Sequence, residues 1–552
     1  MHDCRVTGGL SELASAREAR ARADWPAAQA AYEAAVGAGP TGEAYEGLAT
    51  ALFWQNHVEG AFRAMESAYG QFRREGEPGR AAWAALWLAG QFIRVRGNPA
   101  AARGWAARCG RLLADSEPCA ETGRVILIRA LASDDWEQIE AAAEQAIEIA
   151  RRFGDSDYEA LAVAYSGLAM LSSGRLSEGL ARLDEAMAAA SGGEVRGPDA
   201  IGQIYCALLT GCERTMDLRR AEQWSRVAQP FLNAYDQTGV TGSCRAIYAG
   251  VLAASGRWFD AERELLLALQ IFDSGAPAMR ADALVRLADL RIRQGRLDEA
   301  AGLLEGNEAL LDAQQPLAAL ELARGRPQVA AAMLERRMNQ LGAANPQAAP
   351  LLLRLVEACL ACGEPPAARA GATALANLAR GGGESVRGLA QLAAGLATGA
   401  EGGDPLPELE AALAHLVRAG MPFEASQARL AIAEAVGGRS PAFAIREARL
   451  AMTEFAAMGA QPGADQAANL LRRLGVRPAG GARSQATLSR REEDVARLVG
   501  LGLSNDQIGS RLFLSPRTIE HHVSSILRKL AVSSRVEVAA YAARHLTGAG
   551  PV

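Results

Sequence analysis

Lysine is all but missing from this sequence: Lys529 is the only one, against an arginine-rich background. A phosphate-binding loop needs Gly-Lys-Ser/Thr so that the lysine reaches the nucleotide phosphates. Lys529 follows Arg528, so that motif occurs nowhere and no nucleotide is expected. Long apolar runs are lacking too. The longest, 160–171, has twelve residues, whereas a bilayer span needs about 18 or more; it suits a buried helix. Residues 1–20 hold no apolar core flanked by basic residues, so no signal peptide is expected. The chain therefore reads as cytoplasmic, with no membrane partner. HExxH, GxSxG and metal-ligand clusters are absent, and so is the strand-rich pattern with clustered Asp of a phospho-acceptor domain. The expectation is a non-enzyme with no cofactor, no metal and no catalytic residue. Eight cysteines are then expected as free thiols. Cys359 and Cys362 form a lone CxxC with no nearby His, and a zinc site needs about four ligands.

What remains is rich in Ala, Leu, Arg and Gly, 49% apolar, 22% charged and only 5% aromatic. Ala, Leu and Arg lose little entropy in a helix, so the mixture favours an all-α fold. At 552 residues the chain is too long for one core and implies several domains or a repeat array. The net charge of −5 hides an asymmetry. Residues 484–547 carry nine Arg/Lys and six Asp/Glu, a net of +3, so the remainder nets −8. That local balance permits nucleic-acid binding at the C-terminal end.

Five stretches, 136–146, 176–186, 218–228, 258–268 and 297–304, resemble one another. Each places a small or apolar residue ahead of others four and seven positions later, as in Ala221, Ser225 and Ala228, or Ala261, Leu265 and Ala268. The first positions are Ile139, Gly179, Ala221, Ala261 and Ala300, about 40 residues apart. The i, i+4, i+7 spacing predicts helices and the steady period predicts repeats. Gly174-Arg175, Gly256-Arg257 and Gly295-Arg296 precede three of these helices, and glycine there supplies the left-handed conformation that ends the preceding helix. Near the start, Tyr45, Leu48, Ala49 and Leu52 on one helix and Ala61, Met65 and Ala68 on the next resemble a tetratricopeptide repeat. Ala28, Tyr32, Ala35 and Pro40 suit a preceding second helix. The resemblance implies stacked helical hairpins forming a solenoid with a concave binding surface. Residues 201–224, with Tyr205, Cys206, Cys212 and Glu213, are the candidate stretch for lining it.

The expected organisation is a tetratricopeptide-like solenoid over 1–380, then a Gly-rich break with weakened order near 379–407. Continued helical repeats over 381–474, a flexible linker at 475–487 and a four-helix domain at 488–547 follow. In the last, Ser489 with Glu492, Ser504 with Gln507 and Ser534 with Glu537 are capping boxes, and Ser515-Pro516 opens a third helix. That helix carries an apolar stripe of Ile519, Val523, Ile526, Leu527 and Leu530. Opposite lie Arg517, Glu520, His521, Ser524 and Arg528, groups suited to base edges and phosphates.

The segments 488–493 (LSRREE), 502–508 (GLSNDQI), 514–523 (LSPRTIEHHV), 526–530 (ILRKL) and 533–535 (SSR) together resemble the LuxR-type (NarL/FixJ-like) helix-turn-helix domain. The resemblance implies a bacterial transcription regulator, consistent with the GC-rich coding that an arginine-for-lysine economy suggests. It places helix 516–530 in the major groove, with Glu520, His521 and Ser524 at base edges. Ser504, Asn505, Arg517, Thr518, His522, Arg528 and Lys529 become phosphate or scaffold contacts. Arg535, Val538, Tyr541 and Ala542 mark the dimer helix. Partners implied are double-stranded DNA, as a palindromic operator, a second copy of the chain, and an unknown effector or protein on the solenoid. Ala531 and Gly509 depart from the family's usual Gly and Ala, and Glu520 stands where Lys is frequent. An interaction scaffold with a vestigial or accessory DNA-binding tail is the alternative reading. The charge asymmetry across a Gly/Pro linker further suggests that the repeats restrain the tail until an effector binds.

Overall fold

The computed structural model describes residues 2–545 apart from 115–117, 132–134, 235–238, 342–344, 477–487, 489, 513–515, 531 and 533. Among the described residues every regular element is helical. The chain divides into two compact units, Met1–Ala467 and Ala468–Val552.

The first unit is a run of antiparallel helical hairpins. In the second helix of each hairpin the fourth residue is buried. These residues are Ala28, Ala61, Ala102, Ile139, Gly179, Ala221, Ala261, Ala300, Ala330, Ala368, Leu409 and Ala444, on helices that run from Trp25–Ala38 to Pro441–Met458. At all but Ile139 and Leu409 the side chain is small, which lets the second helix lie close on the first. The tightest case is glycine on glycine: a Cβ on Gly179 would sit 2.6 Å from the Gly167 carbonyl oxygen. Helices Ser156–Ser172 and Leu176–Gly192 thus cross backbone to backbone. The five repeats read from the sequence all belong to this series. The tetratricopeptide-like positions also pack as expected: Ala49, Ala61, Met65 and Ala68 are buried where Gly42–Trp54 meets Val58–Glu75.

The Gly-Arg turns follow from backbone chemistry. Gly174, Gly256 and Gly295 have φ of 83°, 76° and 82°, the left-handed region that glycine enters without steric cost. The amides of Arg175, Arg257 and Arg296 then return to carbonyls of the preceding helix at 2.8–2.9 Å.

Stretches of the solenoid far apart in sequence also meet. Asn56 donates to Ser274 at 2.8 Å, and Ser385 donates to the Met216 carbonyl at 2.7 Å. Trp258, Phe423 and Phe455 form an aromatic cluster with centroids 5.5 Å apart, worth about 0.5–1.5 kcal/mol per pair beyond simple burial. One buried cluster takes in residues from Leu127 to Val251 and again from Ala348 to Ile432, so stretches far apart in sequence share a core.

Two expectations are corrected here. Order does not weaken across 379–407: Gly381, Gly382 and Gly383 and then Gly402 and Gly403 lie in short turns, and between them helix Glu384–Ala400 buries Val386, Leu389, Leu392 and Ala393. Gly388 and Gly395 press against Leu416 and Leu409 of the next helix, Leu406–Ala419, so they are packing residues. The cysteines are not all free thiols: Cys206 and Cys244 are joined in a disulfide, with Cα atoms 5.2 Å apart. Their separation of 38 residues is close to one repeat, which brings matching positions of helices Pro198–Thr215 and Gly239–Ala254 together. Cys359 and Cys362 are free, as are Cys109, Cys119 and Cys212.

Candidate nucleic-acid interface

The C-terminal unit holds four helices after its entry: Arg490–Gly500, Asn505–Leu512, Pro516–Lys529 and Arg535–His545. Capping chemistry sets their starts. Ser504 and Gln507 form the reciprocal box, the Ser504 amide donating to Gln507 Oε1 at 2.8 Å and the Gln507 amide to Ser504 Oγ at 3.3 Å. The Glu537 amide donates to Ser534 Oγ at 3.3 Å. Ser489, Ser515, Ala531, Ser533 and linker residues 477–487 lie outside the described residues.

A core of Leu488, Val495, Ala496, Val499, Ile508, Ile519, Val523, Ile526 and Val538 holds these helices together. The third helix contributes the stripe anticipated from its sequence: Ile519, Val523 and Ile526 are buried, and Leu527 and Leu530 are half-buried against them. Glu520 and Ser524, one turn apart, are exposed on another face, and His522 is half-buried. The side chains of Arg517, Thr518, His521 and Arg528 lie outside the described set. The exposed pair gives the helix an acceptor and a hydroxyl pointing to solvent, able to meet donors and acceptors on base edges.

Several polar groups expected at the DNA surface are bonded within the unit. Lys529 Nζ lies 2.5 Å from Glu492 Oε2, and Glu492 Oε1 accepts from Ser525 Oγ at 2.7 Å. Arg535 donates to Asn505 Oδ1 at 2.8 Å and to the Leu503 carbonyl at 2.6 Å. Ser504 is exposed. On the fourth helix Val538 and Ala542 face inward: Val538 is fully buried, and the Ala542 methyl is 2.9 Å from where a Gly500 Cβ would be. Both are core residues of a single unit, so of the four dimer-helix positions only Tyr541 and Arg535 keep partial exposure. Glu492 is the residue that reading the sequence as capping boxes left incompletely described. It sits at i with Val495 and Val499 at i+3 and i+7, an inward stripe on which a carboxylate requires a partner.

In the solenoid, residues 201–224 separate into different roles. Tyr205 is buried and donates to Ser225 at 3.1 Å, Cys212 is buried, and Glu213 pairs with Arg286 at 3.0 Å. Trp224 lines a groove of about 800 Å³ between helices Leu176–Gly192 and Leu218–Ala234. Its indole donates to Asp184 at 2.8 Å, and exposed Val227 lies beside it. Among the described residues no group of His, Cys, Asp or Glu is placed to hold a metal ion, and no helix is long and apolar enough to cross a membrane.

Residues 486–542 match the family "Bacterial regulatory proteins, luxR family". That assignment defines a helix-turn-helix DNA-binding class for the tail. Over 63 residues the tail is 48% identical to HTH-type transcriptional regulators of Mycobacterium bovis and Mycobacterium tuberculosis, covering 11% of this chain and 7% of theirs. It is 41% identical over 58 residues to a transcriptional regulatory protein of Bacillus subtilis, covering 10% of this chain and 27% of that protein. The chain thus spans about 7% of the length of the mycobacterial relatives. Among solved structures, the APC/C hetero-tetramer Cut9–Hcn1 aligns over 83% of this chain and 95% of that one, at 12% identity and a TM-score of 0.34.

Proposed function

We propose that this chain is a DNA-binding transcription regulator whose helix Pro516–Lys529 enters the major groove. The observation that carries the reading is the exposed face of Glu520 and Ser524 on a helix anchored by Ile519, Val523 and Ile526, inside the segment that matches the luxR family. A short helix, a turn and a second helix with one buried and one polar face have the geometry that docks in that groove. Glu520, His521 and Ser524 address base edges, Glu520 as an acceptor from cytosine N4. Arg517, Thr518, His522 and Arg528, with Ser504 at the start of the second helix, hold the phosphates.

Two copies meet on a palindromic duplex through the fourth helix, on the side that Tyr541 edges, since Val538 and Ala542 are occupied by the core. The solenoid is the sensing part. The groove beside Trp224 is wide enough for an effector or a segment of a partner protein. No catalytic step is assigned, and the absence of Gly-Lys-Ser/Thr leaves no lysine for nucleotide phosphates.

The test is selection of duplexes from a random-sequence library by the full chain, followed by a gel shift at fixed salt. Enrichment of a two-fold-symmetric sequence bound well above a scrambled duplex is expected. Failure to enrich any sequence would favour a scaffold whose tail does not read DNA.

A further inference from the structure

We propose that Glu492 is the positioning residue of the reading helix, and that the chain's only lysine serves this carboxylate and not a phosphate. The inference rests on the DNA-reading role just proposed. Glu492 is 5% exposed, yet both of its oxygens are bonded to the third helix: Oε1 accepts from Ser525 at 2.7 Å and Oε2 lies 2.5 Å from Lys529 Nζ. Ser525 and Lys529 are four residues apart and so share one flank of that helix. Glu520 and Ser524 are also four apart and share the adjacent flank, one residue's rotation away. The brace therefore sets the azimuth of the reading face directly, without passing through the apolar stripe.

Electrostatics decides where Lys529 stays. A carboxylate as buried as Glu492 is costly without a cation, and removing one partner of such a pair harms a protein more than removing both. If Lys529 swung out to a phosphate it would strand that charge. The second helix is tied in the same manner from the other side, by Arg535 on Asn505 and on the Leu503 carbonyl. Both halves of the helix-turn-helix are thus held by charged bonds from the helices that flank them. Two of the cations and one amide that the sequence alone assigns to DNA or to the dimer serve as internal struts.

The experiment uses the full chain and its variants K529M, E492Q and E492Q/K529M. One probe is a duplex enriched by the wild-type chain from a random-sequence library, with a scrambled duplex as control. The other readout is amide hydrogen exchange over 516–529 in protein without DNA. K529M is expected to lose roughly tenfold on the selected duplex, with little loss on the scrambled one and a salt slope unchanged within about half a unit. Exchange over 516–529 should quicken in K529M. The double variant should regain much of both losses, because neither charge is then stranded. A salt slope lowered by about one in K529M, with exchange unchanged, would make Lys529 a phosphate contact and overturn the proposal. Losses that simply add in the double variant would overturn it equally. If no duplex is enriched, the DNA-reading role fails, while the exchange pattern still decides the brace: recovery in the double variant supports it and additive quickening contradicts it.

Discussion

The two compact units use side chains in opposite ways. In the solenoid one structural solution recurs: a buried residue at the fourth position of each second helix, small everywhere from Ala28 to Ala444 except at Ile139 and Leu409, lets hairpin pack on hairpin. Its charged groups are largely turned on one another, as in Arg286 with Glu213 and Asp282, or Arg293 with Asp289 and Glu424. In the tail nothing repeats, and the polar residues divide the work among them. Ser504 and Gln507 cap, Glu492 and Arg535 brace, and Glu520 and Ser524 stay free. Stability should be most sensitive where the solenoid's backbones already touch, at the Gly167–Gly179 crossing, and specificity at the free face of the tail.

The largest effect should come from breaking the first half of that comparison. Gly179→Leu forces a side chain onto the Gly167 carbonyl oxygen and Leu171. We expect a loss of about 3 kcal/mol or more, since overpacking against backbone cannot be relieved by rotamers. Gly420→Ala, in open space at φ 74°, should cost only about 1 kcal/mol. Thermal melting of the two variants side by side checks the ratio. If Gly179→Leu melts with the wild type, the close crossing is not what holds those helices. Neither change should alter which duplex the protein prefers.

The second half is sharpened in the tail. His521→Ala should leave the melting temperature in place and cost about 1–3 kcal/mol of discrimination between the selected duplex and single-base variants of it. Arg528→Ala should weaken all duplexes alike and lower the salt slope by about one. A gel-shift series at three salt concentrations separates these outcomes. A change of sequence preference in the Arg528 variant, or of salt slope alone in the His521 variant, would reverse the assignments.

Much of this was legible in the sequence, and what was not has physical causes. The repeat period was visible where spacings stay near 40, from Ile139 to Ala300. It was lost beyond, because helix Leu297–Leu304 is only eight residues long and a 3₁₀ turn at Leu311–Ala313 follows, so Ala330 comes just thirty residues after Ala300. The tail's stripe and its Ser504 box were local patterns and survive intact. The roles of Glu492, Lys529, Asn505 and Arg535 were not, because each depends on a partner some thirty or more residues away that only the packed domain supplies. Val538 and Ala542 were misplaced for the same reason: a helix's apolar residues do not announce whether they face their own core or a second copy. The disulfide between Cys206 and Cys244 likewise depends on the register between neighbouring repeats.

Smaller effects separate the cysteines of the solenoid. Burial pushes the Cys109 thiol up to about 11 and raises Cys212 as well. Both are fully buried, whereas Cys362 is half-exposed at a helix end. Thiolate is the reactive form, so raised and buried thiols react slowly at neutral pH. With a mild alkylating agent on the native chain, the partly exposed Cys119 and Cys362 should be modified before the buried Cys109 and Cys212, while Cys206 and Cys244 react only after reduction. Peptide mass spectrometry gives the order, and early labelling of Cys212 would contradict its place in the core. The smallest expected effect is none: ATP should leave duplex affinity unchanged, because no phosphate loop exists to bind it.

The central claim is that the outward face of helix Pro516–Lys529 reads bases, and exchanging its one exposed acid tests it most directly. Glu520 accepts from cytosine N4, whereas a lysine in its place donates to the O6 and N7 of guanine. Duplex selection with the full chain carrying Glu520→Lys, run beside the wild type, should enrich the same symmetric sequence with cytosine replaced by guanine at one position of each half-site. An enriched sequence identical to that of the wild type, at undiminished affinity, would contradict the account.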